Sequence, residues 1–247
     1  MLNYLSRIIK TDDRIQYQGP EMKTVCDVFE SNFPHYAERP FIHIPLNAAQ
    51  SYHDTAIDYN YAETQREIKF LQDLYHTAGF GLGHRVGLLL DNRAEFFFHW
   101  LALNALGVSI VPLNGEFSAE EMAYVISHSE VDSVVCLPKN KIQVKSAIAY
   151  FNGLVPVVAS DEMATLQPPI KPKKAGNPDT GTECAMLYTS GSTGKPKGCI
   201  LTNEYFIVFG EWYRDVGGLC ALKPGEERLL TPLPLVHMNA LACSTMG

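Results

Sequence analysis

The sequence predicts an α/β fold: mostly parallel sheets flanked by helices. Two observations carry this. The runs "RVGLLL", "VSIVPL", "VDSVVCL" and "VPVVAS" are apolar along their whole length instead of alternating, the mark of strands covered on both faces. Segments with helical spacing of apolar residues separate them one by one, and strand–helix alternation of this kind builds parallel sheets.

The elements follow in chain order. "YAETQREIKFLQDLYHTAGF" places Ile68, Leu71, Leu74 and Tyr75 on one helical face. Gly79, Gly81 and Gly83 then stop the helix before "RVGLLL". "RAEFFFHWLALNALG" reads as a heavily buried helix with Gly107 at its C-terminal cap. Its aromatics, "FFFHW", are core material and not a cofactor box. After the strand "VSIVPL", Ser118 with Glu121 three residues on opens the helix "SAEEMAYVISHS" as a capping box. "VDSVVCL" is the next strand, Ile142 to Phe151 a weaker helix, and "VPVVAS" the strand after it. Residues 161–182 carry Pro168, Pro169, Pro172 and Pro178 among Lys171, Lys173 and Lys174. Such a stretch reads as a surface connection and a candidate boundary between subdomains.

Composition narrows the function. The 247 residues are 46% hydrophobic and 19% charged, which suits a soluble globular protein. A net charge of −7 supplies no basic surface, so nucleic acid is not expected as a partner. The six cysteines form no C-x-x-C pair, which argues for buried free thiols over disulfides or zinc. "MLNYLSRIIKTDDR" lacks the apolar stretch of a secretory signal, and no transmembrane segment stands out, so a cytoplasmic location is expected. The apolar ending "HMNALACSTMG" reads as a truncation and not as a natural terminus.

The most informative stretch is "LYTSGSTGKPKGCILTNEYF", residues 187–206. Hydroxyl residues and glycines make a poor core, but they expose backbone N–H groups and hydroxyl donors beside two lysines. That is the chemistry of a polyphosphate cradle. A Walker A loop is excluded, because Thr189 stands where its first glycine belongs and Pro196 follows Lys195 in place of Ser or Thr. "GFGLGH" fails as a dinucleotide fingerprint, since it precedes a strand and has His84 at the third glycine position.

"YTSGSTGKPKG", residues 188–198, resembles the phosphate-binding signature of the adenylate-forming enzymes, the superfamily of AMP-dependent synthetases and ligases. "GHRVGLLLDNRAEFFFHWLALNALGVSIVPLN" and "PLPLVHMNAL" are similar to segments flanking that loop in the family, with the nearest likeness to acyl-CoA ligases, including the carnitine-CoA ligase type. The resemblance implies that residues 1–247 are part of the large N-terminal AMP-binding domain and that the small C-terminal domain is absent. It implies ATP, Mg2+ and coenzyme A, a small-molecule carboxylic acid as substrate, and inactivity of this stretch alone. The expected reaction forms an acyl-adenylate and then a thioester. The alternatives are an adenylation domain that loads a carrier protein and a non-catalytic nucleotide-binding remnant.

Site residues follow from the same resemblance. Thr189, Ser190, Gly191, Ser192, Thr193 and Gly194 would wrap the β- and γ-phosphates, and Lys197 would neutralise leaving pyrophosphate. Thr189 is also a candidate magnesium contact. Lys195 occupies a variable family position and reads as an auxiliary charge. His237 matches a position near the acyl carboxylate and α-phosphate, and Met238 and Asn239 would line the acyl pocket. One departure stands out: many relatives have a histidine after "LT", where this chain has Asn203.

Overall fold

The computed structural model describes residues 22–49, 51–189, 195–220, 222–223 and 225–246. Its helices are α1 (Val25–Tyr36), α2 (Leu46–Ala49), α3 (Tyr61–Thr77), α4 (Ala94–Ala105), α5 (Ala119–Ser129), α6 (Lys141–Tyr150) and α7 (Asn203–Asp215). Its strands are β1 (Pro40–Ile44), β2 (Ile57–Asn60), β3 (Arg85–Leu89), β4 (Ser109–Pro112), β5 (Ser133–Cys136), β6 (Val157–Ala159), β7 (Glu183–Thr189) and β8 (Lys197–Thr202).

Six strands form one sheet in the order β6-β5-β3-β4-β7-β8. All neighbours are parallel except β8, which runs antiparallel to β7 at the edge. The whole-length apolarity of the inner strands follows from this arrangement. Val86, Leu88, Val135 and Leu187 enter a core shared with α1, α3 and α4, whereas Val111, Val134, Cys136 and Met186 enter one shared with α5 and α6. Each inner strand therefore buries both of its faces.

The caps expected at Ser118 and Gly107 are present, and two further capping boxes stand at α1 and α3. Ser118 and Glu121 exchange the two bonds of a capping box at α5. Asn60 and Glu63 do the same at α3, as do Thr24 and Asp27 at α1. Gly107 takes φ +73 just past α4, and a Cβ there would lie 2.8 Å from Leu82 Cδ1 and 3.3 Å from Leu82 Cα. Trp100 of α4 is fully buried, its ring centroid 5.3 Å from that of Phe206 and its indole N–H donating to Cys184 Sγ. Burial of an aromatic this large contributes at most about 4–6 kcal/mol on area grounds.

Residues 161–182 lead from β6, at one edge of the sheet, to β7 on the far side of β4. The connection is fastened to the turn before β3. Lys174 N–H donates to the Leu82 carbonyl at 2.8 Å. Gly81 N–H donates to His84 Nδ1 at 3.1 Å, so Nε2 carries the proton and donates to the Lys171 carbonyl at 2.8 Å. The glycines of "GFGLGH" serve this close approach. A Cβ at Gly81 or Gly83 would sit 2.8 Å from the stem of Lys173 or Lys174, and Gly83 also has φ +89.

Two features differ from the sequence-based expectation. The antiparallel pair β1–β2 lies outside the main sheet and was not foreseen; its strands are short and mostly half-exposed, so no period shows. The cysteines are free, but only Cys26, Cys136 and Cys184 are buried, while Cys199 and Cys220 are exposed and Cys243 is partly so. Cys199 is exposed because β8 is an edge strand.

Candidate functional site

The chain reverses direction across the sheet between β3 and β4: β5 and β6 lie on one side of β3, β4, β7 and β8 on the other. In open α/β sheets, ligands bind outside the carboxyl ends of the strands at such a point. Here those ends lead to Asp91 and Asn92 after β3, Asn114 and Gly115 after β4, and Thr189 at the end of β7.

The β7–β8 hairpin presents the glycine-rich connection at this edge. Its register pairs Thr189 with Lys197, Tyr188 with Gly198 and Leu187 with Cys199. Ser190, Gly191, Ser192, Thr193 and Gly194 lie outside the described residues; the stem that holds them is described on both sides. Gly198 is required by close packing across the hairpin. A Cβ there would stand 2.2 Å from Met186 Cε and 3.2 Å from Tyr188 Cζ. Lys195 and Lys197 are exposed, and neither has an ion-pair partner among the described residues. Two uncompensated ammonium groups and the Thr189 hydroxyl at one loop fit a polyanionic ligand.

Helix α5 covers one face of this stem. Tyr124 Oη donates to the Pro196 carbonyl at 3.2 Å, and Lys195 Nζ lies 5.5 Å from the Tyr124 ring centroid. One helical turn on, His128 stacks on Tyr124 and lies 2.7 Å from Tyr188 Oη through Nδ1. Burial pushes the Tyr188 hydroxyl up to about 12, so it stays protonated at neutral pH. Tyr124 and His128 were not singled out from sequence. Their i, i+4 spacing on α5 was visible, but their partners lie 60 to 72 positions away.

The segment bearing His237 reaches the same edge by another route. Asn92, just past β3, donates to the Leu233 carbonyl at 2.8 Å and accepts from Leu235 N–H at 2.9 Å. His237 N–H donates to the Pro234 carbonyl, and the His237 carbonyl accepts from Leu241 N–H, which starts a π-helical turn over Asn239–Ser244. That turn buries Ala240, Leu241 and Ala242 in the core beside Phe206. His237, Met238 and Asn239 are exposed. A cavity of about 70 Å³ lies between Asn92, Asn114, Gly115 and Pro234–Val236, well below the roughly 300–1,000 Å³ typical of ligand pockets. A larger cleft of about 370 Å³, beside β2 and α3, shares no residue with it and is lined by Asp58, Glu63, Arg66 and Glu67; with carboxylates outnumbering the guanidinium, it disfavours an anionic ligand.

The topology therefore brings two groups of predicted residues to one edge. Thr189 and Lys197 hang from β7 and β8, and His237 hangs from the Asn92 clasp after β3. β3 and β7 are two strand positions apart, a lateral distance of about 10 Å. For magnesium the donor set is thin. Thr189 offers a single neutral oxygen, and no group of three or more His, Cys, Asp or Glu side chains among the described residues could hold a metal.

Beyond the loop, Thr202 Oγ1 caps α7 by accepting from Tyr205 N–H. Asn203 is fully buried. It donates to the Asp179 carbonyl and accepts from Asn104 Nδ2 and Val25 N–H. No helix among the described residues is long and apolar enough to cross a membrane.

Comparisons with known proteins bear on the family and the fold. A family model described as AMP-binding enzyme matches residues 35–247. Crotonobetaine/carnitine–CoA ligase of Shigella dysenteriae serotype 1 (strain Sd197) is 31% identical over 202 residues, covering 76% of this chain and 38% of the relative. The ligase of the same name from Escherichia coli (strain K12 / DH10B) is 30% identical over the same shares. The chain thus spans 38% of the length of these relatives. Among solved structures, the inhibitor-bound N-terminal domain of FACL13 from Mycobacterium tuberculosis superposes with a TM-score of 0.71 at 21% identity, covering 91% of this chain and 55% of that one. A putative long-chain-fatty-acid CoA ligase from Rhodopseudomonas palustris CGA009 gives 0.72 at 18% identity, over 90% and 54%. At such identities the structural likeness concerns the fold.

Proposed function

The chain belongs to the AMP-binding enzyme family, and on that premise we propose that the whole protein is an acid–thiol ligase that activates a carboxylic acid with ATP and passes it to coenzyme A. In the first half-reaction a carboxylate oxygen bonds to the α-phosphorus and the bond to the bridging oxygen breaks, releasing pyrophosphate. In the second, the thiol sulfur of coenzyme A bonds to the acyl carbon, its proton is released, and AMP leaves. Magnesium would supply further charge neutralisation to the nucleotide.

The observation that carries this reading is the hairpin stem. Thr189 and Lys197 face each other in register at the carboxyl edge of the sheet, on either side of a loop whose sequence is hydroxyls and glycines. The first half-reaction brings an anion towards a polyanion, so its barrier is lowered mainly by positioned donors and positive charge. Lys197 offers an ammonium at the point where pyrophosphate charge would develop. Thr189, with Ser190, Gly191, Ser192, Thr193 and Gly194, would supply hydroxyl and N–H donors. His237 would face the acyl carboxylate and α-phosphate, with Met238 and Asn239 at the acyl pocket entrance.

The test is carboxylate-dependent exchange of labelled pyrophosphate into ATP, followed by thioester formation on adding coenzyme A. The acid panel should run from short to long chains and include crotonobetaine and carnitine, after the relatives' names. Exchange with at least one acid is expected. Folded whole protein that catalyses exchange with none of them would overturn the reading.

A further inference from the structure

We infer that Tyr124 is a positioning residue for nucleotide binding, acting through the Pro196 carbonyl on the limb of the loop that carries Lys197. This rests on the ligase reading above. Pro196 directly precedes Lys197, so its carbonyl belongs to the peptide plane that carries the Lys197 N–H. Tyr124 Oη holds that oxygen at 3.2 Å, and thereby fixes where the chain leaves the loop and enters β8. Pro196 has no N–H of its own, and its ring locks only φ. The Pro196 carbonyl precedes the first pair of the β7–β8 ladder, Thr189 with Lys197, and takes its hydrogen bond from outside the hairpin.

The tyrosine ring itself has two polar neighbours. His128 stacks on it with ring centroids 5.2 Å apart and planes at 30°. His128 in turn meets Tyr188 Oη at 2.7 Å, and Tyr188 is the cross-strand partner of Gly198. Lys195 Nζ lies 5.5 Å from the Tyr124 ring centroid, which draws that ammonium towards α5. Helix α5 therefore grips both strands of the stem: β7 through Tyr188, and the entry to β8 through Pro196. The two lysines of the loop are also distinguished. Lys195 has an aromatic face for a partner, whereas Lys197 does not appear in any ion pair of the described residues and is free to meet a ligand.

Removal of the hydroxyl alone isolates the proposed contact. Tyr124→Phe keeps the ring, the His128 stack and the Lys195 contact, and Tyr124 is only half-buried, so folding is preserved. Loss of one neutral hydrogen bond corresponds to about a two- to tenfold effect. The experiment measures ATP dissociation constants, and KM values for ATP and for the acid, in whole wild-type protein, Tyr124→Phe and Tyr124→Leu. The expected result for Tyr124→Phe is ATP binding weaker by about two- to tenfold, with the acid KM and the melting temperature unchanged; Tyr124→Leu should be weaker still. Wild-type binding of ATP with equal affinity in Tyr124→Phe would overturn this inference and leave the ligase reading standing. A parallel loss of acid affinity and melting temperature would also overturn it, as a purely structural role. Wild-type protein that neither binds ATP nor exchanges pyrophosphate would overturn the ligase reading, and this inference with it.

Discussion

Asn104 of α4 donates a 2.7 Å hydrogen bond to the side-chain oxygen of Asn203, the first residue of α7, and both amides are excluded from water. The pair completes the start of a third helix. Val25 N–H donates to Asn203 Oδ1 and Cys26 N–H to Asn104 Oδ1, while Thr24 Oγ1 takes the Asp27 N–H. The first N–H groups of a helix have no partner within it. Here two asparagines far apart in sequence supply acceptors, and they tie α1, α4 and the end of the β7–β8 hairpin together.

Asn203→Ala should therefore destabilise the protein by about 2–3 kcal/mol. It strands the Val25 N–H and removes one acceptor from Asn104, both in the interior, where an unmet polar group costs about 1–3 kcal/mol. Urea denaturation monitored by circular dichroism checks this. A change under about 0.5 kcal/mol would mean that water or a backbone shift replaces the lost acceptor.

Asn92→Ala should behave differently, because Asn92 is exposed. Its two bonds, to Leu233 and Leu235, hold a segment and not the core. Global stability should change by less than about 1 kcal/mol. The loosened segment carries His237, so kcat/KM for the acid should fall by roughly three- to tenfold, as expected from one or two hydrogen bonds. Amide exchange across residues 233–237 should quicken in parallel. Unchanged exchange there would show that the buried turn over 240–242 alone fixes the segment.

A pH dependence follows from His99, which lies in the core with Nδ1 2.8 Å from Tyr75 Oη. Burial pushes its imidazole down to about 3, against about 6.5 in an unfolded chain. The unfolded state thus binds the extra proton across that interval, and stability present above about pH 6.5 is lost as pH falls towards 3. Between pH 6.5 and 5 the loss from this group is about 1.5–2 kcal/mol. His99→Gln should be less stable at pH 7.5 but should show a flatter pH curve. Parallel curves for the two proteins, measured by urea midpoints at pH 7.5, 6 and 5, would remove His99 as the cause.

The sheet and its helices were legible because burial on both faces writes unbroken apolar runs such as "RVGLLL", and because Ser118 with Glu121 is a local device. The placement of β7 beside β4 was not legible: a strand's neighbour depends on pairings remote in sequence, and residues 161–182 read only as a connection. The candidate site divides the same way. The loop was conspicuous from composition alone, since its donors are consecutive. Tyr124 and Asn92 were not, since each acquires meaning from a partner 72 or more residues away. Asn203 was conspicuous only as a departure from the resemblance, and the buried amide pair that explains what it does required Asn104 to be placed against it.

The two loop lysines give the sharpest separation. Lys197 pairs in register with Thr189 and stands at the entry to β8; on the proposed reading it meets the phosphate. Lys195 is drawn instead over the Tyr124 ring at 5.5 Å, an exposed cation–π contact worth about 0.5–1 kcal/mol. A charge-assisted contact to phosphate is worth about 1.5–3 kcal/mol, or one to two decades in affinity or rate. In the whole protein Lys197→Ala should accordingly cost about 10- to 100-fold in kcat/KM for ATP. Lys195→Ala should cost at most a few-fold, because its ammonium is spent on an aromatic face and on solvent. Steady-state kinetics at varied ATP, after matching the circular dichroism of the two variants, decides the matter. Equal losses would mean that Lys195 leaves Tyr124 to hold phosphate when nucleotide binds. A larger loss at Lys195 would reverse the assignment of the two charges.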